Sequence, residues 1–216
     1  MNKIRETFLQ AGRIATELVR HSADDWERPS ALEYMTVGAL CGHLIRAIGS
    51  VDAYLDRPEP EGEPVSPAEY YSAALEDPEQ SSSAPRLDSA LHTAIRERSM
   101  EEATGGPAKV AERSAAVLER LTGRLQAESA DRCVEVFKGI CLSLDHYLIT
   151  RMIELAVHAD DLAVSLGRST PEMPPLVMDL SIRTLVDVGR LRHGDVAVLR
   201  ALTRRERDGV EALRVL

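Results

Sequence analysis

From Leu142 to Leu166 no glycine or proline interrupts the chain, and the run stops at Gly167. A stretch this long, with apolar residues recurring near every 3.6 positions, can bury one stripe and expose the other only as an amphipathic helix. Gly167 suits the left-handed position that ends such a helix. Because one helix cannot cover its own apolar stripe, the rest of the chain must supply helices to pack against it.

It does so. Ile4, Phe8, Ala11, Ile14 and Leu18 predict a first helix over about 2–21, ending before SADDWERPS, where Pro29 favours a loop. Trp26, the single tryptophan, is expected to seal the end of the bundle. Thr36 is a good N-cap for a second helix over 37–55, with Val37, Leu40, Leu44, Ile48 and Val51 inward. Pro58, Pro60, Pro64 and Pro67 then break regular structure. The acidic, Ser-rich stretch to Pro85 reads as a long crossing with a short helix at 68–75. Helices follow at 86–102 and, after Gly105-Gly106, from Pro107 to about 128, with Val110, Ala111, Leu118, Leu121 and Leu125 inward. Residues 134–140 read as loop or a turn of helix, although their β-branched residues also suit a short strand. Beyond Gly167, helices are expected from Pro174-Pro175 to 191 and over 195–205, the latter with Val196, Leu199 and Leu202 on one side. The fold class is therefore all-α: a helical bundle over 1–167, with a helical C-terminal extension over 168–216 packed on it.

Composition narrows the function. A hydrophobic fraction of 44% supports a buried core, and the formal charge of −9 argues against a general nucleic-acid binder. A local basic patch at Arg200, Arg204, Arg205 and Arg207 is the exception. No apolar run reaches the roughly 20 residues needed to span a bilayer, and the N-terminal residues do not read as a secretory signal, so a cytoplasmic location is expected. Cys41, Cys133 and Cys141 are odd in number and lack C-x-x-C spacing, which reads as reduced thiols.

Chemistry concentrates in RMIELAVHADDL, residues 151–162. Glu154 and His158, spaced i and i+4, project from one face one turn apart, so a carboxylate and an imidazole can reach one ion. Alone the pair equally describes a solvated helix face. His43, in ALCGHLIRAIG on the second helix, alone reads as a satisfied core histidine, and Gly42 before it as a point of close helix approach. Together the three make a two-helix, three-ligand site that leaves a coordination position open. Two imidazoles and a carboxylate suit Zn²⁺, and Ni²⁺, Fe²⁺ or Mn²⁺ also fit.

TVGALCGHL (36–44) and RMIELAVHADDL (151–162) resemble the DinB-like four-helix bundle, in its mycothiol-dependent maleylpyruvate isomerase branch, over roughly residues 1–167. The resemblance implies His43, Glu154 and His158 as ligands of a divalent metal, with Arg151 and Asp161 as groups that orient them. Met35 and Ala39 depart from the family, which often carries Trp and an acidic residue there, and the stretch after Gly167 looks too short for the separate C-terminal domain of full-length isomerases. The activity implied is that of a metal-dependent thiol transferase or isomerase, using mycothiol or a related small thiol on a small electrophilic substrate. A homodimer is compatible with the sequence. The competing readings are a non-catalytic bundle that binds or senses, and a metal-dependent hydrolase in which water replaces the thiol.

Overall fold

In the computed structural model, which describes residues 1–75, 90–204, 213 and 215, the chain is built on helices, with one small hairpin among the described residues. The helices are α1 (Lys3–Arg20), α2 (Val37–Leu55), α3 (Pro67–Leu75), α4 (Ala90–Glu102), α5 (Gly106–Ala127), α6 (Leu144–Ser165), α7 (Pro175–His193) and α8 (Asp195–Thr203). Strands β1 (Cys133–Glu135) and β2 (Cys141–Ser143) lie between α5 and α6. Four helices form the bundle: α1 and α2 each pack against both α5 and α6. The α3–α4 crossing separates α2 from α5 in sequence; α4 lies along α2, and α3 touches α6 and α7.

Local chemistry accounts for the helix ends. Side-chain oxygens of Asn2, Thr36 and Ser143 accept from the backbone N–H of Arg5, Ala39 and His146, at 3.1, 3.1 and 3.2 Å, capping α1, α2 and α6. The far end of α6 closes in a Schellman motif: Gly167, at φ 62°, donates to Val164 O at 3.0 Å, and Arg168 N donates to Ala163 O at 2.9 Å. The core contains Phe8, Leu40, Leu44, Ile48, Leu121, Leu125, Leu148 and Met152, all fully buried. Each such side chain contributes roughly 1.5–3 kcal/mol relative to exposure.

Two glycines on α2 set close approaches. Trp26 packs over Gly38, where an added Cβ would stand 2.7 Å from the indole ring, which seats the tryptophan on the start of α2. At Gly42 an added Cβ would lie 2.1 Å from Ser99 O, so α4 crosses α2 with the two backbones touching.

A buried arginine ties the bundle's other end. Arg5, 4% exposed, donates to the carbonyls of Leu125, Glu128 and Ser129 at 2.7–2.9 Å and pairs with Asp145 at 2.9 Å. It thereby joins α1 to the last turn of α5, whose carbonyls lack helical partners, and to the first turn of α6.

The structure departs from sequence expectation in two places. Residues 133–143 form an antiparallel hairpin rather than loop or helix, and Lys138 (φ 60°) and Gly139 (φ 71°) make its turn. Val134 and Leu142, opposite one another, point to the core. Consequently α6 begins at Leu144, after the strand, rather than at 142. On α8, Val196, Leu199 and Leu202 share one side as expected, and that side faces outward, whereas Val198 is buried, because the helix rests on α7 through its other side. The expected helix start at 86–89, residues 76–85 of the crossing's acidic stretch, and Arg205 and Arg207 lie outside the described residues.

Candidate metal centre

His43 on α2 and Glu154 and His158 on α6 converge where α2 packs on α6. His43 Nε2 lies 3.1 Å from His158 Nε2 and 3.8 Å from Glu154 Oε2; His158 Nε2 lies 3.4 Å from the same carboxylate oxygen. Zinc–nitrogen and zinc–oxygen bonds of about 2.0–2.2 Å give a tetrahedron whose edges are about 3.3–3.6 Å. The observed spacings bracket that edge, so the donor set fits a small divalent ion.

The opposite atom of each donor residue is held. His43 Nδ1 meets Ser99 Oγ at 3.3 Å, a pairing that exists because Gly42 lets α4 in. His158 Nδ1 is 2.9 Å from Asp161 Oδ2. Tyr71, from α3, donates its hydroxyl to Glu154 Oε1 at 3.0 Å and to Thr150 O at 3.1 Å. The rings and the carboxylate are thereby fixed from behind, as partners of metal-binding side chains do.

Burial and charge shape the site. The side chains of His43, Glu154 and His158 are 18%, 22% and 16% exposed, so an incoming molecule can reach them. Burial, then the neighbouring His158 charge, lowers the His43 pKa to about 4, so this imidazole stays neutral. Burial also opposes charge on His158, yet hydrogen bonds to Asp161 and Glu154 outweigh it and raise its pKa to about 9. Glu154 is held well below the usual carboxylate range, burial being overcome by His158 and the Arg151 guanidinium.

The five residues singled out from the sequence do not share one role. His43, Glu154 and His158 come together, and Asp161 braces His158. Arg151 instead bonds Thr150 Oγ1 at 3.1 Å and stacks 5.1 Å over the Tyr147 ring, lending charge to Glu154 from among tyrosines. Tyr71 and Ser99 escaped sequence reading. Ser99 carries no local signal, being separated from His43 by the whole crossing, whereas the Tyr70-Tyr71 pair on a short helix beside the prolines is the one hint the sequence offers.

No helix among the described residues is long and apolar enough to cross a membrane. No curated protein matches the sequence. Two solved structures are similar in fold: the mycothiol-dependent maleylpyruvate isomerase (TM-score 0.50) and a point mutant of it (TM-score 0.48). Each is 18% identical, with 86% of this chain and 71% of that chain covered. The family described as mycothiol maleylpyruvate isomerase N-terminal domain matches residues 8–163, which hold the bundle except the first turn of α1 and the last residues of α6, and include the His43–Glu154–His158 cluster. By that match, the chain belongs to the mycothiol maleylpyruvate isomerase N-terminal domain family.

Proposed function

We propose that the protein is a metal-dependent thiol transferase or isomerase, with His43, Glu154 and His158 as ligands of a divalent ion, zinc by the chemistry of the donor set. The observation that carries this reading is the paired arrangement of the donors: three atoms face one another at tetrahedral-edge spacing, and the opposite atom of each residue is already bonded. When bound, the ion would supply a position at which a small thiol, mycothiol by family membership, is held as thiolate for transfer or reversible addition to an electrophilic carbon. The chain's own groups hold and orient. Asp161 and Ser99 set the two imidazole rings, and Tyr71 leaves Glu154 Oε2 free to face inward. Arg151 balances the buried carboxylate and, set among Tyr70, Tyr71 and Tyr147, offers cationic charge beside the site. Residues 168–216 are read as an extension of the same unit, its first helix lying against α6.

Elemental analysis of protein purified without chelators should find about one equivalent of zinc or a similar ion, and His158→Ala should lose most of it. A thiol-conjugation assay over a panel of electrophiles should then give metal-dependent turnover. Metal-free wild-type protein would refute the site; a metal-loaded protein that turns over nothing would refute the enzyme.

A further inference from the structure

The hairpin brings together two cysteines that the metal centre does not use. Its register pairs Cys133 with Ser143 and Glu135 with Cys141. Opposed residues of an antiparallel pair share a face, and every second residue returns to it. Cys133 and Cys141 therefore lie on one face, diagonal to each other, while Val134 and Leu142 occupy the core face. Cys133 is near enough to raise the Cys141 pKa, and its own thiol lies 3.5 Å from Asp131 O. Both are free thiols, and they differ in access. Cys133 is half-buried, whereas Cys141 is buried beneath the chain at Gly62, where an added Cβ would stand 3.3 Å from Cys141 Cβ. Among the described residues, only His43, Glu154 and His158 gather three metal-capable donors, so the thiol pair lacks a third ligand close by. The chemistry left to two adjacent thiols, one reachable and one shielded, is with each other.

We propose that Cys133 and Cys141 form a redox-active dithiol that reduces a low-molecular-weight disulfide and closes as an intrachain disulfide across the hairpin. Exposure sets the order of events. Cys133 gives up its proton and its thiolate attacks one sulfur of the small disulfide. The small molecule's S–S bond breaks, one thiolate leaves and takes up a proton, and Cys133 carries the mixed disulfide. Cys141 then releases its proton and attacks Cys133 Sγ. The protein S–S bond forms, the bond to the second small thiolate breaks, and that thiolate is protonated. The balance is two protein thiols oxidised to one disulfide and one small disulfide reduced to two thiols. Burial and the neighbouring Cys133 charge push the Cys141 thiol up to about 11, which keeps it from attacking first. Capping Cys133 removes that neighbouring charge at the moment Cys141 must react. The bond would span the hairpin two residues before Ser143, the residue that caps α6.

The test treats the full chain with glutathione disulfide as probe and follows intact mass and peptide maps. Wild-type protein should lose two hydrogen masses and release two equivalents of glutathione. Cleavage after Arg132, Lys138 and Arg151 should leave peptide 133–138 joined to 139–151, with Cys41 unmodified. Cys141→Ser should stop at a glutathione adduct on Cys133 after one equivalent, and Cys133→Ser should react at least about tenfold more slowly. A wild-type protein that keeps a stable Cys133 adduct, couples cysteines between chains, or resists the probe while its unfolded form reacts would overturn the proposal. The wild-type result decides on its own, whatever the variants' stability.

Discussion

The crossing of α4 over α2 depends on the missing side chain at Gly42, and Gly42→Ala should break it. The added Cβ would stand 2.1 Å from Ser99 O and 2.9 Å from Ala103 N, both backbone atoms that cannot rotate aside. Restoring an ordinary 3.4 Å separation from Ser99 O requires α4 to retreat by roughly 1.3 Å, the difference of those distances. Overpacking of this kind costs about 1–3 kcal/mol. Breaking the hydrogen bond between Ser99 and His43 adds about 0.5–1.5 kcal/mol, and the better helix propensity of alanine returns about 1 kcal/mol. The net loss is about 2 kcal/mol, which in a domain of this size lowers Tm by about 4–8 °C. Gly49, on the same helix, is the control, because nothing lies within 4 Å of its added Cβ. Gly49→Ala should therefore stabilise by about 0.5–1 kcal/mol. Urea denaturation of both variants gives the comparison directly. If Gly42→Ala is as stable as Gly49→Ala, the close crossing and its hold on His43 are refuted.

Three further outcomes are expected. Metal uptake by apo protein near pH 7.5 should release about one proton, since His158 holds its own up to about 9 and His43 is already neutral above about 4. Apparent affinity should therefore rise about tenfold per pH unit and level off above about 9, and calorimetry in buffers of different ionisation enthalpy would expose the reasoning if no proton were released. Tyr71→Phe removes the donor to Glu154 Oε1 and should weaken metal binding by about 10–100-fold in competition titrations, while circular dichroism stays native. Arg5→Met leaves three carbonyls and Asp145 without their partner and should cost about 2–4 kcal/mol in urea denaturation, against near-neutrality if the cluster is ornamental.

What the sequence made legible follows from the range of the forces involved. Helix α2 was readable to the residue because its stripe and the Thr36 cap are both local signals. The α6 ligand pair was readable for the same reason, since i and i+4 fall on one face whatever the tertiary fold. The start of α6 was not, because Cys141–Ser143 pair with residues 133–135 and a strand partner competes with an apolar run that also suits a helix. Ser99 and Tyr71 act across the crossing, where only tertiary packing determines who meets whom. The outward stripe on α8 has the same origin: periodicity says that its residues share a side, and packing decides which side that is.

Arg5 has a consequence for where this chain tolerates change. Its neighbours Met1 to Lys3 are exposed and look expendable. Shortening the chain past residue 5 would nevertheless remove the α1 cap at Asn2 together with the guanidinium that joins three helices, and one of those is the helix bearing Glu154 and His158. Such a truncated protein should lose the seating of α6 before it loses any fully buried apolar residue, and its ligand geometry would report the damage at a distance. Fusion partners belong ahead of Asn2 on a free linker, not in place of it.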